Sequence, residues 1–121
     1  MKRIPHLISS VIVLIVDIAL APPVWPLEIG NVLLVGVKRV RLTTRDVPHL
    51  ITEFRALPLE IDAASTERAL EETLALAKKY NLTTYDASYL ELAQRRTLPF
   101  ATLDTKLRKA CVSAKITLMP S

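Results

Sequence analysis

The sequence has few of the residues that build disulfides and zinc sites. Cys111 is the only cysteine in 121 residues, so the chain can form neither an intrachain disulfide nor a cysteine-based zinc cluster. The two histidines, His6 and His49, lie far apart, without the spacing of paired metal ligands. Half of the residues are hydrophobic and only 23% are charged, which excludes a disordered chain. We therefore expect residues 1–121 to form a single globular domain in a reducing, cytoplasmic environment.

The sequence also lacks an apolar run long enough to span a membrane. Its first 25 residues combine a basic start, an apolar stretch and the triplet ALA at 19–21, which is similar to a secretory signal. Asp17 interrupts that stretch, Pro22 would be the first mature residue, and residues 11–16 are too few for a transmembrane helix. We therefore expect no membrane association, and we interpret residues 11–16 as a buried, β-branched strand.

The remaining sequence alternates between helix and strand patterns. Apolar residues at helical spacing predict helices within residues 26–40, 43–57, 64–80, 86–96 and 104–114. Short apolar or threonine-rich runs predict strands within residues 57–62, 81–85, 98–103 and 115–119. Strands separated by helices favour an α/β fold with a mostly parallel sheet and helices on both faces.

Two aspartates, Asp86 and Asp104, each follow a predicted strand and precede a predicted helix. Because parallel strands end at one edge of a sheet, we expect both carboxylates at that edge, near helix N-termini. Each aspartate alone is better explained as a helix cap. Glu28 opens the first predicted helix, with Asn31 on the same face at i+3, and alone it would only complement the helix dipole.

Together these stretches resemble a known family. The segments VWPLEIGNVLL and LTTYDASYLELAQRRTLPFATLDTKLRKA are similar to the PIN-domain ribonucleases, above all to the VapC toxins of bacterial type II toxin–antitoxin pairs. The resemblance covers residues 21–121 and is most specific around the two aspartates. It implies a PIN-like three-layer α/β/α sandwich.

The resemblance also implies a metal-dependent endoribonuclease that hydrolyses RNA phosphodiester bonds. Glu28, Asp86 and Asp104 would be its catalytic carboxylates and would bind Mg²⁺ or Mn²⁺, which prefer oxygen ligands. Asn31 and Thr102 match polar positions of the family and would orient these ligands. A cognate VapB-like antitoxin, a homodimer and a cytoplasmic location are implied as well.

The amino-terminal region departs from the family pattern. PIN domains begin with a strand that ends in an essential aspartate, and helices follow before the glutamate helix. Here the apolar run ends at Asp17, and only ten residues separate it from Glu28, although a crossover between parallel strands needs roughly a dozen. Either Asp17 is a further metal ligand on a shortened chain, or the chain is a fragment with an incomplete first strand and opening helices, residues 1–20 being atypical.

The departure at the family's first aspartate allows a second interpretation of the function. In this interpretation the protein is a catalytically impaired PIN-domain remnant that only binds antitoxin or self-associates. A phospho-acceptor signalling domain is a third, but it would require paired early acids and a late lysine that are not evident in this sequence.

Basic residues give the chain a net charge of +4, which suits RNA but is shared by many plain soluble domains. A basic patch after the first predicted helix is explained equally well by phosphate contacts and by a solvated face: Lys38, Arg39, Arg41 and Arg45. A second basic group lies near the candidate carboxylates in sequence and would balance their charge or guide substrate: Arg95, Arg96, Lys106, Arg108 and Lys109. Glu91, five residues after Asp86, should face another side of its helix.

Overall fold

The computed structural model describes residues 10–14 and 19–120, which form a mixed α/β fold. The helices are α1 (Trp25–Lys38), α2 (Asp46–Arg55), α3 (Ala64–Arg68), α4 (Leu74–Tyr80), α5 (Thr84–Arg96) and α6 (Thr105–Ser113), and a π-helical segment (Ala69–Thr73) joins α3 to α4. The strands are β1 (Ser10–Leu14), β2 (Ala19–Ala21), β3 (Leu59–Ile61), β4 (Phe100–Thr102) and β5 (Leu118–Met119). The predicted helices are therefore confirmed, and so are the strands predicted within 57–62, 98–103 and 115–119. Strand β1 confirms the strand predicted over 11–16 as far as Leu14, and its remaining residues lie outside the described ones. Strand β2 is not among the predictions.

The five strands form one sheet in the order β3-β2-β1-β4-β5. The pairs β2–β3 and β4–β5 are parallel, whereas β1 is antiparallel to both of its neighbours. Four strands therefore run in one direction and β1 is reversed, so that two of the four strand pairings are parallel and two are antiparallel, against the mostly parallel sheet expected. Only residues 15–18 separate β1 from β2, too few for the crossover that a parallel pair needs. Asp17, the further candidate ligand, lies outside the described residues.

The prediction of a strand over residues 81–85 is wrong. Helix α4 is terminated by Asn81 in the left-handed conformation, with φ of 53°, and α5 begins at Thr84. The two residues between them are too few to add a strand to the sheet. Thr83 instead caps α5, because its Oγ1 accepts the backbone N–H of Asp86 at 3.1 Å. Asp86 therefore lies in the first turn of α5 and not at a strand-to-helix corner.

The strand ends place a different pair of aspartates at one edge of the sheet. Asp62 directly follows β3, and Asp104 follows β4 and caps α6 by accepting the N–H of Leu107 at 2.9 Å. Because β3 and β4 run in the same direction, both residues lie at the same edge. The predicted position is thus confirmed for Asp104 and wrong for Asp86, and Asp62 was not predicted.

Helix α5 is central to the hydrophobic core of the described residues, which joins residues from Leu20 to Cys111. Six of its residues are buried, in the nearly continuous run Ala87, Tyr89, Leu90, Glu91, Leu92 and Ala93. Trp25 packs edge-to-face on Phe54, with ring centroids 5.9 Å apart, and so anchors the first turn of α1, which carries Glu28. Among the described residues, no helix is long and apolar enough to cross a membrane.

Candidate carboxylate site

Glu28 is held against α5 by a buried tyrosine. The O–H of Tyr89 donates to Glu28 Oε1, and its fully buried ring stacks on Phe100, with centroids 5.7 Å apart and planes 4° from parallel. Burial raises the pKa of Glu28, the Tyr89 hydrogen bond lowers it, and the charge of Asp86 raises it further. The net result is a pKa above the ordinary value of 4.5. A residue of the core therefore fixes a half-buried acid.

Asp86 interacts with both of the other candidate acids. Burial and then the charge of Asp104 raise its pKa, while Lys106 and the hydrogen bond with Thr83 lower it, and the result exceeds the ordinary 3.8. Since the charge of Asp86 also raises the pKa of Glu28, the three carboxylates are coupled in series with Asp86 in the middle. Each acid lies at a helix N-terminus, where the helix dipole favours negative charge.

Asp104 is positioned by the end of β4. Its backbone N–H donates to Oγ1 of the buried Thr102 at 3.1 Å, while its own Oδ1 caps α6. Arg108 braces the same turn, since Nη1 donates to the Thr102 carbonyl at 2.8 Å and Nη2 to the Pro120 carbonyl at 2.5 Å. Asn31, the other predicted orienting residue, is exposed and lines a groove together with Glu28.

The oxygen donors suit a divalent cation in type but do not form a compact set of ligands. Carboxylates are the ligands that Mg²⁺ and Mn²⁺ prefer, and mutual repulsion of the kind seen here is relieved by a cation. In the described part of the chain, however, no group of three or more His, Cys, Asp or Glu side chains is placed to hold a metal ion. Asp104 also commits one oxygen to the helix cap, and Glu28 commits one to Tyr89. The described residues thus provide the donor chemistry without a three-ligand geometry.

A second acidic group, which we call the Arg95 cluster, consists of Asp62, Ser65, Glu91 and Arg95. Arg95 Nη2 donates to Asp62 Oδ2 at 2.5 Å, and Nε donates to Glu91 Oε2 at 2.8 Å. Both acids are buried, with Asp62 9% and Glu91 3% exposed. Ser65 Oγ also donates to Asp62 Oδ2, at 2.8 Å. The cluster therefore pairs every buried charge with a partner of opposite charge.

The pairing reverses the direction of the pKa shift at Asp62. Burial alone raises this pKa, but the hydrogen bonds from Arg95 and Ser65, with the charges of Arg95 and Arg96, outweigh it and hold the pKa below 3.8. The hydrogen bond with Glu91 is the largest influence that raises the pKa of Arg95, so the guanidinium stays charged. At Asp62, the positive partners therefore outweigh burial in setting the direction of the pKa shift.

Sequence reasoning missed the partners in both acidic groups. The sequence predicts that Arg95 balances the candidate carboxylates, but in the structure it binds Asp62 and Glu91. The i, i+4 spacing of Glu91 and Arg95 was a visible sign of this pairing. The position of Tyr89 beside the candidate acids is also indicated by the sequence, because it follows Asp86 at i+3 on one helical face. Of the basic group near the site in sequence, Lys106 acts on Asp86.

The fold and the site define an α/β protein with three coupled carboxylates at helix N-termini. Comparison of the chain with protein-family models, with curated proteins and with solved structures found no match in any of the three. The resemblance to PIN-domain ribonucleases therefore depends on the sequence motifs alone, and the function is argued from the carboxylate site.

Proposed function

We propose that this protein is a PIN-like, Mg²⁺- or Mn²⁺-dependent endoribonuclease, the cytoplasmic toxin of a type II toxin–antitoxin pair, with a three-layer α/β/α fold. One observation carries the proposal: the hydrogen bond from Tyr89 to Glu28 joins α1 to the helix that carries Asp86, so that the charge of Asp86 acts on Glu28 and that of Asp104 acts on Asp86. The motifs select these residues without reference to their spatial arrangement. The contact between α1 and α5 at Glu28 supports the proposal separately from the motifs.

In this proposal, three acids of the site would bind the cation, and two other residues orient those acids. Glu28, Asp86 and Asp104 would hold the cation, which when bound would lower the pKa of a water and offset charge on the phosphate. Tyr89 fixes Glu28 from within the core, and Thr102 fixes Asp104 through its backbone N–H. Burial contributes most to the raised pKa of Glu28 and of Asp86, and the repulsion between the acids, which adds to it, is what a bound cation would relieve.

The test is cleavage of a single-stranded RNA by the purified full chain, with Mg²⁺ and with EDTA. We expect cleavage only with the metal, and a loss on the order of 100-fold or more for Asp86→Asn, since one polar group at the reacting centre is typically worth that much. Glu71→Gln is the matched control, because Glu71 is exposed and belongs to neither acidic group. Cleavage that survives EDTA, or equal activity of both variants, would contradict the proposal.

The second candidate function is the impaired remnant that self-associates or binds antitoxin, and an apolar groove favours it. The groove encloses about 410 Å³ and is lined in part by Leu27, Leu70, Leu74 and Tyr85. All four side chains are exposed, Leu70 by 84%. Exposed apolar patches of this kind mark interaction surfaces. We take a second copy of the chain as the occupant, in line with the expected homodimer.

Sedimentation equilibrium of the full chain tests this second function. Leu70→Asp should abolish a dimer, since it introduces a charge into the apolar surface. Val112→Asp is the matched control, because Val112 is also exposed, on α6, and does not line the groove. A monomeric wild type, or equal effects of the two substitutions, would argue against dimerisation through this groove.

A further inference from the structure

A groove of about 390 Å³ extends along α1 from the carboxylate site. Glu28, Asn31, Val35 and Arg39 recur at i, i+3, i+7 and i+11, so they share one face of the helix, beside the side that packs into the core. Eleven residues of helix span about 16 Å, which is longer than a single phosphate group. The groove therefore connects an acidic end at Glu28 with a basic end at Arg39.

The turn after α1 brings a second arginine to the same groove. The N–H of Arg41 donates to the Gly36 carbonyl at 2.9 Å and that of Val40 to the Val37 carbonyl at 3.1 Å, which is the Schellman pattern of helix termination. Val40 takes the left-handed position, with φ of 57°, although a β-branched residue disfavours it and the side chain remains exposed. Strain of this kind persists where the surrounding structure enforces it.

Gly36 is part of what enforces that turn. Leu42 is buried against α1 at Gly36, where an added Cβ would lie 2.6 Å from Leu42 Cδ1. The close approach of Leu42 directs the chain back along the helix, so that Arg41 lines the groove beside Arg39.

The two guanidinium groups are not committed to other charges in the described structure. Within residues 19–120, neither Arg39 nor Arg41 makes an ion pair or a side-chain hydrogen bond, in contrast to Arg95. A planar guanidinium matches the geometry of a phosphate and binds it through two hydrogen bonds.

We propose that Arg39 and Arg41 form a phosphate-binding wall that holds the backbone of an RNA strand beside Glu28. The identity of the strand rests on the proposed ribonuclease function. A strand entering the carboxylate site meets like charge at Glu28, and the wall offsets that repulsion. Lys38 and Arg45 belong to the same basic patch in sequence but do not line the groove. The structure thus divides the patch into two residues that bind phosphate and two that are solvated.

Binding of a fluorescent 12-nucleotide oligouridylate to the full chain, in EDTA so that no cleavage occurs, tests the wall. Arg39→Gln and Arg41→Gln should each lower affinity about fivefold at 0.1 M salt and reduce the slope of log K against log salt by about 0.7, the contribution of one phosphate contact to a single strand. Lys38→Gln is the matched control, because it removes the same charge from the same turn of α1 outside the groove. It should change affinity less than about twofold.

Equal losses in all three variants would overturn the proposal, since they would report net charge alone, and so would a wild type that does not bind. The outcome is separable from that of the proposed function. If the wild type fails to cleave RNA but the arginine variants alone lose binding, the wall stands and the nuclease proposal falls. If cleavage depends on Asp86 but the arginine variants bind like Lys38→Gln, the wall falls and the nuclease proposal stands.

Discussion

The Arg95 cluster and the carboxylate site both contain acidic side chains, but the pKa shifts of these acids have opposite directions in the two groups. In the cluster, one guanidinium contacts both buried acids, and the pKa of Asp62 falls below its ordinary value. In the carboxylate site no guanidinium is bound to Glu28 or Asp86 within the described residues, and burial and then repulsion raise the pKa of both acids. Compensated acids stabilise a fold, whereas coupled acids without a guanidinium partner are typical of functional sites.

Among the variants that test this comparison, the substitution of Arg95 should have the largest effect on stability. Arg95→Ala leaves Asp62 and Glu91 as unpaired charges in the interior, which should lower the free energy of unfolding by about 3–5 kcal/mol. Urea denaturation measures the change. Arg96→Ala is the control, because Arg96 is 46% exposed on its side chain and lies 3.8 Å from Asp62, and its loss should cost less than about 1 kcal/mol. Similar stabilities for the two variants would mean that the cluster is not structural.

A smaller effect is expected from Tyr89→Phe, which removes the hydroxyl that donates to Glu28. The loss of this hydrogen bond should cost about 1 kcal/mol. It should also raise the pKa of Glu28 further, because the bond lowers that pKa. Urea denaturation and NMR titration of the Glu28 carboxyl carbon check the two expectations. Tyr85→Phe, at an exposed tyrosine, should change neither quantity. A lower pKa in Tyr89→Phe would contradict the assigned role.

The smallest effect is the opposite pH dependence of the two groups. Glu28 and Asp86 have raised pKa values in the folded state, so their contribution to stability is greatest below the ordinary 4.5 and 3.8 and is lost as the pH rises through the raised values. The pKa of Asp62 is lowered, so its contribution is present above 3.8 and is lost as the pH falls below that value.

Thermal unfolding between pH 3 and 8 separates these contributions. In Asp86→Asn, stability should decline less steeply above pH 3.8 than in the wild type, while the loss of stability at lower pH should be unchanged. The two proteins should differ in the free energy of unfolding by less than about 1 kcal/mol, because the site is partly solvated. An unchanged decline in Asp86→Asn would show that Asp86 titrates without coupling to the fold.

The errors of sequence interpretation lie where a local pattern had a competing explanation. The run NLTTY is rich in β-branched residues, but Asn81 ends one helix and Thr83 caps the next, which leaves no room for a strand. Because Thr83 caps α5, Asp86 lies in the first turn of that helix and not at the end of a strand. Arg95 was assigned to the wrong acids, because its partner Asp62 lies 33 residues away.

The sequence by itself determined the helices, four of the strands and the chemical identity of the candidate acids, because periodicity, caps and motif residues are local properties of the chain. Only the tertiary structure decided which acids are compensated and which repel one another. It alone also divided the basic patch after α1 into groove-lining and solvated residues. The reason is physical: burial and charge–charge interaction depend on distances between residues that are remote in sequence, and these distances exist only after the chain has folded.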